Sequence, residues 1–305
     1  MPEDCISNVD GPSFRLRELA EVSSTNDVVK RALEAGEPEG LAVRACRQTG
    51  GYGRQGRTWA SPEGGLYLSL LLRPRVPSAQ LPTLSLVTGL AVREAVAAVA
   101  DGSAAESVLI KWPNDVVALP DDPAAVPAVP GWAGTRKIAG VLSELVMPEA
   151  AAGGVARVLV PGTVPADRDE ASMVILGVGV NIGQAAEELP VPWAGSLRTL
   201  GAVGTGSGPD PEDAVEIVLT AIGHHLARLV GQWEEVGGNV DASGGALGRR
   251  LREALTTLGK QVSVQAPDGE LGGLAVDVTP ALVLRTQAGD TEVRAGDVTL
   301  VRMEG

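Results

Sequence analysis

A glycine-rich segment carries the most concentrated set of chemically useful residues in the chain. The stretch GGYGRQGRTW, Gly50 to Trp59, holds four glycines and two arginines. Glycine lets backbone N–H groups approach an anion closely, and Arg54 and Arg57 can form bidentate hydrogen bonds with a carboxylate or a phosphate. The segment lacks the Gly-Lys-Ser/Thr ending of a P-loop and opens no helix as a dinucleotide fingerprint does. It predicts an anion-binding loop, and the alternative is a surface hairpin with solvated arginines.

A second motif, KWPNDVV at residues 111–117, interrupts a predicted strand. Pro113 cannot donate to a strand ladder, so it breaks the strand and presents Asn114 and Asp115 at a turn. Their side chains could then reach a ligand or a metal-bound phosphate. The alternative is an Asx turn between two strands, and Trp112 beside it could be a packing residue or a ligand contact.

The motif RKIAGVLSEL places a lysine near a glycine on a predicted strand. Lys137 stands at the start of the apolar run and Gly140 follows three residues later. Beside a small residue, an ammonium group could contact a bound phosphate closely. The alternative is a lysine at an exposed strand end.

The motif GVGVNIG alternates glycine with larger residues. Because strand side chains alternate between faces, Gly177, Gly179 and Gly183 would leave one face of the strand bare. A bare face leaves room for a flat or apolar ligand, and Asn181 follows at the end of the run.

Alternating and helical patterns predict the elements that position these motifs. The segment FRLRELAEVSSTNDVVKRALEAG reads as a strand or turn and then a helix, capped by Ser24 or Thr25 and ended by Gly36. The glycine-rich loop would join two strands, LAVRACRQTG and GLYLSLLLRP, the second with Leu66, Leu68, Leu70 and Leu72 on one face. Helices are predicted for 81–99 and 211–233, and strands for RKIAGVLSELVM and SMVILGVGVNIG.

After about residue 258 the pattern changes to short strands separated by turn residues, which predicts a small antiparallel barrel. We therefore expect a mixed α/β domain over residues 14–240 and a β domain over 258–305. Two segments rich in proline, alanine and glycine, 120–134 and 148–171, are typical of mobile hairpin tips or linkers.

Composition narrows the class of protein. The 305 residues suffice for a large core, and the formal net charge of −13 argues against nucleic acid as the main partner. The N-terminal segment is acidic and polar, and no apolar run reaches the length of a membrane span, so we expect a cytoplasmic protein without a membrane partner. Two cysteines, Cys5 and Cys46, and the adjacent His224 and His225 do not fit a disulfide framework or a structural metal site.

Taken in order, the motifs SSTND, QTGGYGRQGRTW, KWPNDVV, RKIAGVLSEL and GVGVNIG resemble those of the biotin protein ligase family, over roughly residues 21–183. The resemblance implies an α+β fold: a catalytic domain similar to class II aminoacyl-tRNA synthetases, with a mixed sheet and flanking helices, followed by an SH3-like barrel. It implies a ligase that makes biotinyl-5′-AMP from biotin and ATP with Mg²⁺, and transfers biotin to a lysine of the biotin carboxyl carrier domain of a carboxylase. The oligomeric state stays open.

The resemblance also implies roles for individual residues. Lys137 would bridge the biotin carboxylate and the α-phosphate, and Arg54 would act with it in catalysis. The other implied biotin contacts are Ser24, Thr25, Asn26, Gln48, Tyr52, Gly53 and Gly140. The other implied nucleotide contacts are Arg57, Asn114, Asp115 and Asn181, with Mg²⁺ near Asp115.

One position departs from the family pattern. The family loop begins Gly-Arg-Gly-Arg, whereas Tyr52 stands at the first arginine position here. A phenol can hydrogen-bond or stack but carries no charge. Either the missing arginine removes one of several phosphate or carboxylate contacts, or the phenol packs over the ligand, which is the interpretation we favour.

Other functions stay open at this stage. A lipoate or octanoate ligase or transferase would share the catalytic fold. A biotin-sensing DNA-binding regulator would need a basic winged helix before residue 21. Only an assay would exclude a biotin-binding protein without catalytic activity. We expect no DNA-binding repressor function.

Overall fold

The structure is a computed structural model that describes residues 5–6, 14–100, 106–120, 129–132, 134–146, 161–204, 208–267, 269–279 and 281–300. Most of the first proline-rich segment and the first half of the second lie outside the described residues. The predictions for those parts of 120–134 and 148–171 therefore stay predictions.

Eight strands form the larger sheet, in the order β1-β2-β3-β4-β8-β7-β6-β5. Strands β2 and β3 are parallel and the other neighbours are antiparallel, so the sheet is mixed, as predicted. The strands are β1 (Cys5–Ile6), β2 (Phe14–Val22), β3 (Leu41–Gln48), β4 (Gly65–Leu72), β5 (Val108–Lys111), β6 (Asp115–Ala118), β7 (Arg136–Val146) and β8 (Met173–Asn181).

Helix α1 (Thr25–Glu34) connects the two parallel strands and lies against β3, β4 and β8. It begins where predicted, because Ser24 is extended and its carbonyl accepts the first helical hydrogen bond from Val28. The Ser24 side chain makes no capping hydrogen bond, so that part of the prediction is wrong. Gly36 has a φ of +88°, a left-handed conformation that lets the chain leave the helix.

The opposite face of the sheet is covered by α2 (Leu84–Val96) and α3 (Pro211–Glu235). Helix α2 begins three residues later than predicted, because residues 78–83 form a 3₁₀ turn that contains Pro82. The alternate strand residues Leu66, Leu68 and Leu70 are buried beneath these helices. Helix α3 is long and apolar enough to span a membrane by length and composition, and 56% of its apolar window is buried inside the fold, as in a core helix.

Five further strands form a second sheet, in the order β12-β11-β10-β9-β13, with antiparallel neighbours throughout. This confirms the predicted change to an antiparallel arrangement near residue 258. The strands are β9 (Gln261–Ala266), β10 (Gly269–Thr279), β11 (Ala281–Thr286), β12 (Gly289–Val293) and β13 (Asp297–Leu300). Helix α4 (Ala246–Ala254) lies in the interval between the two predicted domains.

Candidate active site

A cavity of about 550 Å³ opens on the α1 face of the larger sheet. That volume suits a ligand the size of a small cofactor. The structure brings to its lining every ligand contact that the family resemblance implied: Ser24, Thr25, Asn26, Gln48, Tyr52, Gly53, Arg54, Arg57, Asn114, Asp115, Lys137, Gly140 and Asn181. Residues more than 150 positions apart thus share one site.

The glycine-rich segment forms a short hairpin over this cavity. Gly53 donates its backbone N–H to the Arg57 carbonyl at 2.8 Å, and Trp59 donates its backbone N–H to the Gly51 carbonyl at 2.9 Å. The tip turns through Gln55, with a φ of +57°, and Gly56, with a φ of +69°. We call residues 50–61 the lid hairpin.

The floor of the cavity is made of glycines on β7 and β8. A Cβ added to Gly179 would lie 2.6 Å from Nε1 of Trp59, and one added to Gly177 would lie 2.6 Å from Oδ1 of Asn26. The bare strand face predicted from the sequence is therefore covered by these two side chains. Gly183 does not belong to the floor, because a Cβ there would meet Pro211 at 2.8 Å.

Lys137 projects from β7 into the middle of the cavity. Its Nζ lies 2.6 Å from Oδ1 of Asp115 and 5.0 Å from the centre of the Trp59 ring. A Cβ added to Gly140 would lie 3.2 Å from the same ammonium, so the small residue beside Lys137 gives that side chain its room. The lysine side chain is 21% exposed, which leaves it reachable by a ligand.

The two arginines of the lid hairpin reach the turn after β5 and the second sheet. Arg54 donates to Oδ1 of Asn114 at 3.0 Å and to the carbonyl of Gly296 at 3.1 Å. Arg57 forms an ion pair with Asp297. Burial lowers the pKa of Arg54, and the carboxylates of Asp297 and Asp115 oppose that shift. The guanidinium stays charged, because the ordinary pKa of arginine lies above 12.

The end of the cavity next to the second sheet contains several residues that the sequence analysis did not single out. Lys111 is 5% exposed, donates to the Val298 carbonyl at 2.7 Å, and lies 4.6 Å from the centre of the Trp132 ring. Its burial lowers its pKa. Trp132 stacks on Trp193, with ring centroids 6.0 Å apart. Lys111 could have been found in the KWPND motif, whereas no local pattern marked the tryptophans.

Two further residues at this end have structural partners. Trp112 is 3% exposed and belongs to the apolar core, so packing is its observed role although it also borders the cavity. Asn181 donates its amide to the Gly195 carbonyl at 2.9 Å. The asparagine therefore fixes the loop after β8 that carries Trp193.

The opposite end of the cavity is polar and built on α1. Gln48 accepts hydrogen bonds from the backbone N–H of Thr25 at 2.8 Å and from its hydroxyl at 3.1 Å, and donates to Ser61 at 2.8 Å. The Ser69 hydroxyl lies 2.7 Å from Oγ1 of Thr25 and 2.5 Å from Oδ1 of Asn26. These groups form a buried network that could recognise a polar ring.

Tyr52 lines the cavity and its hydroxyl contacts two carboxylates. Its hydroxyl lies 3.1 Å from Oδ1 of Asp27 and 3.2 Å from Oε2 of Glu144. Burial raises the pKa of Tyr52, and the charges of Glu144 and Asp27 raise it further. The hydroxyl is thus held protonated between two carboxylates, and the packing of Tyr52 over a ligand stays a prediction.

The electrostatics of the cavity differ from those of the chain as a whole. Its lining holds four cationic side chains and two carboxylates, although the chain carries a formal net charge of −13. Such a local excess of positive charge favours an anionic ligand. The charged lining residues are Arg54, Arg57, Lys111, Lys137, Asp115 and Asp297.

Comparison with known proteins agrees with this geometry. A sequence profile of the Biotin/lipoate A/B protein ligase family matches residues 19–159. The biotin–acetyl-CoA-carboxylase ligase of Mycobacterium tuberculosis is 31% identical over 294 residues, which cover 94% of this chain and 90% of the relative. The chain belongs to the biotin protein ligase family.

Other family members extend the likeness. The bifunctional ligase/repressor BirA of Bacillus spizizenii is 26% identical over 290 residues, covering 92% of this chain and 72% of that protein. The solved biotin protein ligase of Aquifex aeolicus, in complex with biotin and ATP, aligns with a TM-score of 0.62 and 27% identity over 94% of this chain and 98% of that chain. The family therefore accounts for the fold across both sheets.

Proposed function

We propose that the chain is an ATP-dependent biotin protein ligase that converts biotin to biotinyl-5′-AMP and transfers the biotinyl group to a lysine of a biotin carboxyl carrier domain. The observation that carries the proposal is one cavity with a polar network at one end, aromatic rings at the other and Lys137 between them. The relatives support it, because they are named as biotin ligases and the Aquifex aeolicus structure holds biotin and ATP.

Within this proposal the polar end takes the ureido ring of biotin. A ureido group offers one acceptor and two donors, and the hydroxyls and amides of Thr25, Asn26 and Gln48 offer both kinds of partner. Ser24, Tyr52, Gly53 and Gly140 also border the cavity and would add contacts to biotin. The glycine floor lets the flat bicycle lie against the sheet once Trp59 moves from above Gly179.

The middle of the cavity would carry out the first chemical step. A biotin carboxylate oxygen attacks the α-phosphorus of ATP, a new oxygen–phosphorus bond forms, and pyrophosphate leaves with the electron pair of the broken bond. Lys137 would lie between the two anions, exchanging its contact with Asp115 for the substrates. Its charge and that of Arg54 would offset the negative charge that grows on the α-phosphate.

The second step would consume the mixed anhydride. The lysine amine of the carrier attacks the acyl carbon, the bond to the phosphate oxygen breaks, and AMP leaves. Before that step the lid hairpin would exclude water from the anhydride, which otherwise hydrolyses. Arg57, Asn114 and Asn181 would hold the nucleotide at the aromatic end.

Mg²⁺ would enter with ATP and screen the phosphate charge. It is commonly held through one or two protein carboxylates and the substrate phosphates. Asp115 fits as such a single carboxylate, since it faces the cavity and already pairs with a cation. Among the described residues no cluster of three His, Cys, Asp or Glu side chains could form an all-protein metal site.

Several finer assignments belong to the same proposal. The antiparallel second sheet supports an SH3-like barrel over residues 258–305, after a catalytic domain over 14–240 that resembles class II aminoacyl-tRNA synthetases. Arg54 and Arg57 contact the second sheet, so the two parts would work as one site. The cytoplasm stays the predicted compartment, because the reaction consumes ATP.

An adenylate assay tests the choice of substrate. The purified protein is incubated with ATP and Mg²⁺ and with either biotin or lipoate, and the acyl-adenylate is separated and weighed. We expect adenylate with biotin and at most a few per cent of that amount with lipoate, which lacks the polar ring. Equal adenylate from lipoate would contradict the assignment.

A further inference from the structure

A continuous series of hydrogen bonds joins the lid hairpin to the polar end of the cavity. From Tyr52 it passes to Glu144, whose Oε2 accepts from Nδ2 of Asn26 at 2.5 Å. It continues from Asn26 to Ser69 and Thr25, then to Gln48, and returns to the lid hairpin at Ser61. Both arms of the lid hairpin are therefore attached to the residues that line the polar end.

The Glu144 carboxylate is the point where the two parts meet. One oxygen, Oε2, accepts hydrogen bonds from both the Tyr52 hydroxyl and the Asn26 side-chain amide. Glu144 lies on β7 and pairs with Ile175 of β8, so its backbone is fixed within the sheet. Because both donors use one fixed oxygen, the position of the tyrosine and the orientation of the asparagine amide depend on the same group.

Charge explains why a phenol suits this place. Asp27 and Glu144 both lie within hydrogen-bond distance of one hydroxyl, which has a single proton to donate. Hydrogen bonds to charged acceptors are stronger than those between neutral groups. Tyr52 can therefore hold the lid hairpin to α1 through Asp27 or to β7 through Glu144 without adding a charge beside a neutral ring.

We infer that Tyr52 and Glu144 are positioning residues that couple closure of the lid hairpin to the orientation of Asn26 at the polar end of the cavity. The inference rests on the proposed function, in which that end takes biotin. Tyr52 fastens the lid hairpin, and Glu144 transmits its position to the amide that faces the ligand. Biotin and the closed lid then stabilise each other.

Four variants and one control separate this coupling from a general loss of structure. Tyr52→Phe removes the hydroxyl, Glu144→Met removes the acceptor, and Glu144→Gln keeps one acceptor oxygen. The double variant Tyr52→Phe/Glu144→Met tests coupling. Tyr67→Phe is the matched control, because its hydroxyl donates to the Pro62 carbonyl and accepts from Gln184, neither of which belongs to the series.

Two quantities are measured on each protein after the wild type has been shown to biotinylate a carrier domain. Calorimetry with biotin alone gives the biotin dissociation constant, and a chase with unlabelled biotin and ATP gives the rate at which preformed biotinyl-adenylate leaves. A silent wild type would contradict the proposed function, whereas an active wild type with unaffected variants would contradict only the coupling.

The coupling predicts a specific pattern. Tyr52→Phe should release biotinyl-adenylate about tenfold faster, because it loses one hydrogen bond to a charged group. The same variant should bind biotin several-fold more weakly. Glu144→Met should bind biotin about tenfold more weakly, with the KM for ATP unchanged, and Glu144→Gln should recover most of the wild-type biotin affinity. In the double variant the biotin affinity should match that of Glu144→Met alone.

Three results would overturn the inference. The first is wild-type adenylate release from Tyr52→Phe. The second is a double variant whose loss of biotin affinity equals the product of the two single losses, because independent residues multiply. The third is a Glu144→Gln protein that binds biotin no better than Glu144→Met.

Discussion

The ammonium of Lys137 and the carboxylate of Asp115 form an ion pair of 2.6 Å in the middle of the cavity, with both side chains partly accessible. The two residues belong to adjacent strands, β7 and β6, and come from separate sequence motifs. A cation paired in this way can exchange its partner for a substrate anion, which makes Lys137 the residue on which the proposed chemistry depends most.

Lys137→Ala should therefore abolish adenylate formation while leaving the fold intact. The change removes the cation between two anions and no core side chain, and we expect a loss of at least about a hundredfold, on the scale of a removed transition-state contact. Biotin-dependent exchange of pyrophosphate into ATP measures this step. Lys260→Ala, at an exposed position, is the control, and wild-type exchange by a folded Lys137→Ala protein would refute the assignment.

Arg54→Gly should weaken retention of the intermediate more than its formation. Arg54 ties the lid hairpin to Asn114 and to the Gly296 carbonyl, so its loss frees the lid from both. Escaped biotinyl-adenylate would then label an unrelated lysine-rich protein. Labelling is compared at equal adenylate production with wild type and with a variant of the exposed Arg285, and equal labelling would mean that Arg54 does not hold the intermediate.

Gly179→Ala tests the glycine floor. The new Cβ would lie 2.6 Å from Trp59, so either the lid hairpin or the ligand must shift, and we expect biotin to bind roughly tenfold more weakly, about 1 to 3 kcal/mol for overpacking. The strand glycine Gly272 is the control, since a Cβ there meets nothing closer than 4.0 Å. Unchanged calorimetric affinity in Gly179→Ala would show that this floor does not carry the ligand.

Tyr52→Arg returns the usual family residue to the lid hairpin. A guanidinium at this place would face the carboxylates of Asp27 and Glu144, so the ion pairs should hold the lid more firmly than the phenol does. We expect adenylate to leave several-fold more slowly, and the effect to shrink at high salt. Faster release in Tyr52→Arg, measured by the same chase, would show that the phenol makes a contact that the arginine cannot replace.

Much of the fold follows from local pattern. The alternation of leucines predicts β4, the break at Pro113 separates β5 from β6, and the apolar stripe predicts α3. The predicted start of α2 is three residues too early, because residues 78–83 form a 3₁₀ turn with Pro82. Helix α1 begins where predicted, but without the predicted side-chain cap. In both cases the local pattern predicts the helix, whereas the details of its first turn depend on the neighbouring backbone.

The candidate site also contains residues that the sequence identifies and residues that it does not. Motif residues such as Lys137 and Arg54 could be named from the sequence, because their types and spacing resemble a family. Two other partners could not be named: Glu144 lies far in sequence from Tyr52, Asp297 lies far from Arg57, and neither pair shares a motif. Such pairs depend on sheet register and on how the second sheet lies against the first, which local patterns do not encode.

The most direct test of the central claim is the mass of a biotin carboxyl carrier domain after incubation with the purified protein, biotin, ATP and Mg²⁺. We predict that the carrier gains the mass of one biotinyl group, that the gain requires ATP, and that a carrier whose acceptor lysine is replaced by arginine gains nothing. A wild-type carrier of unchanged mass, in the presence of folded protein that binds biotin, would contradict the account.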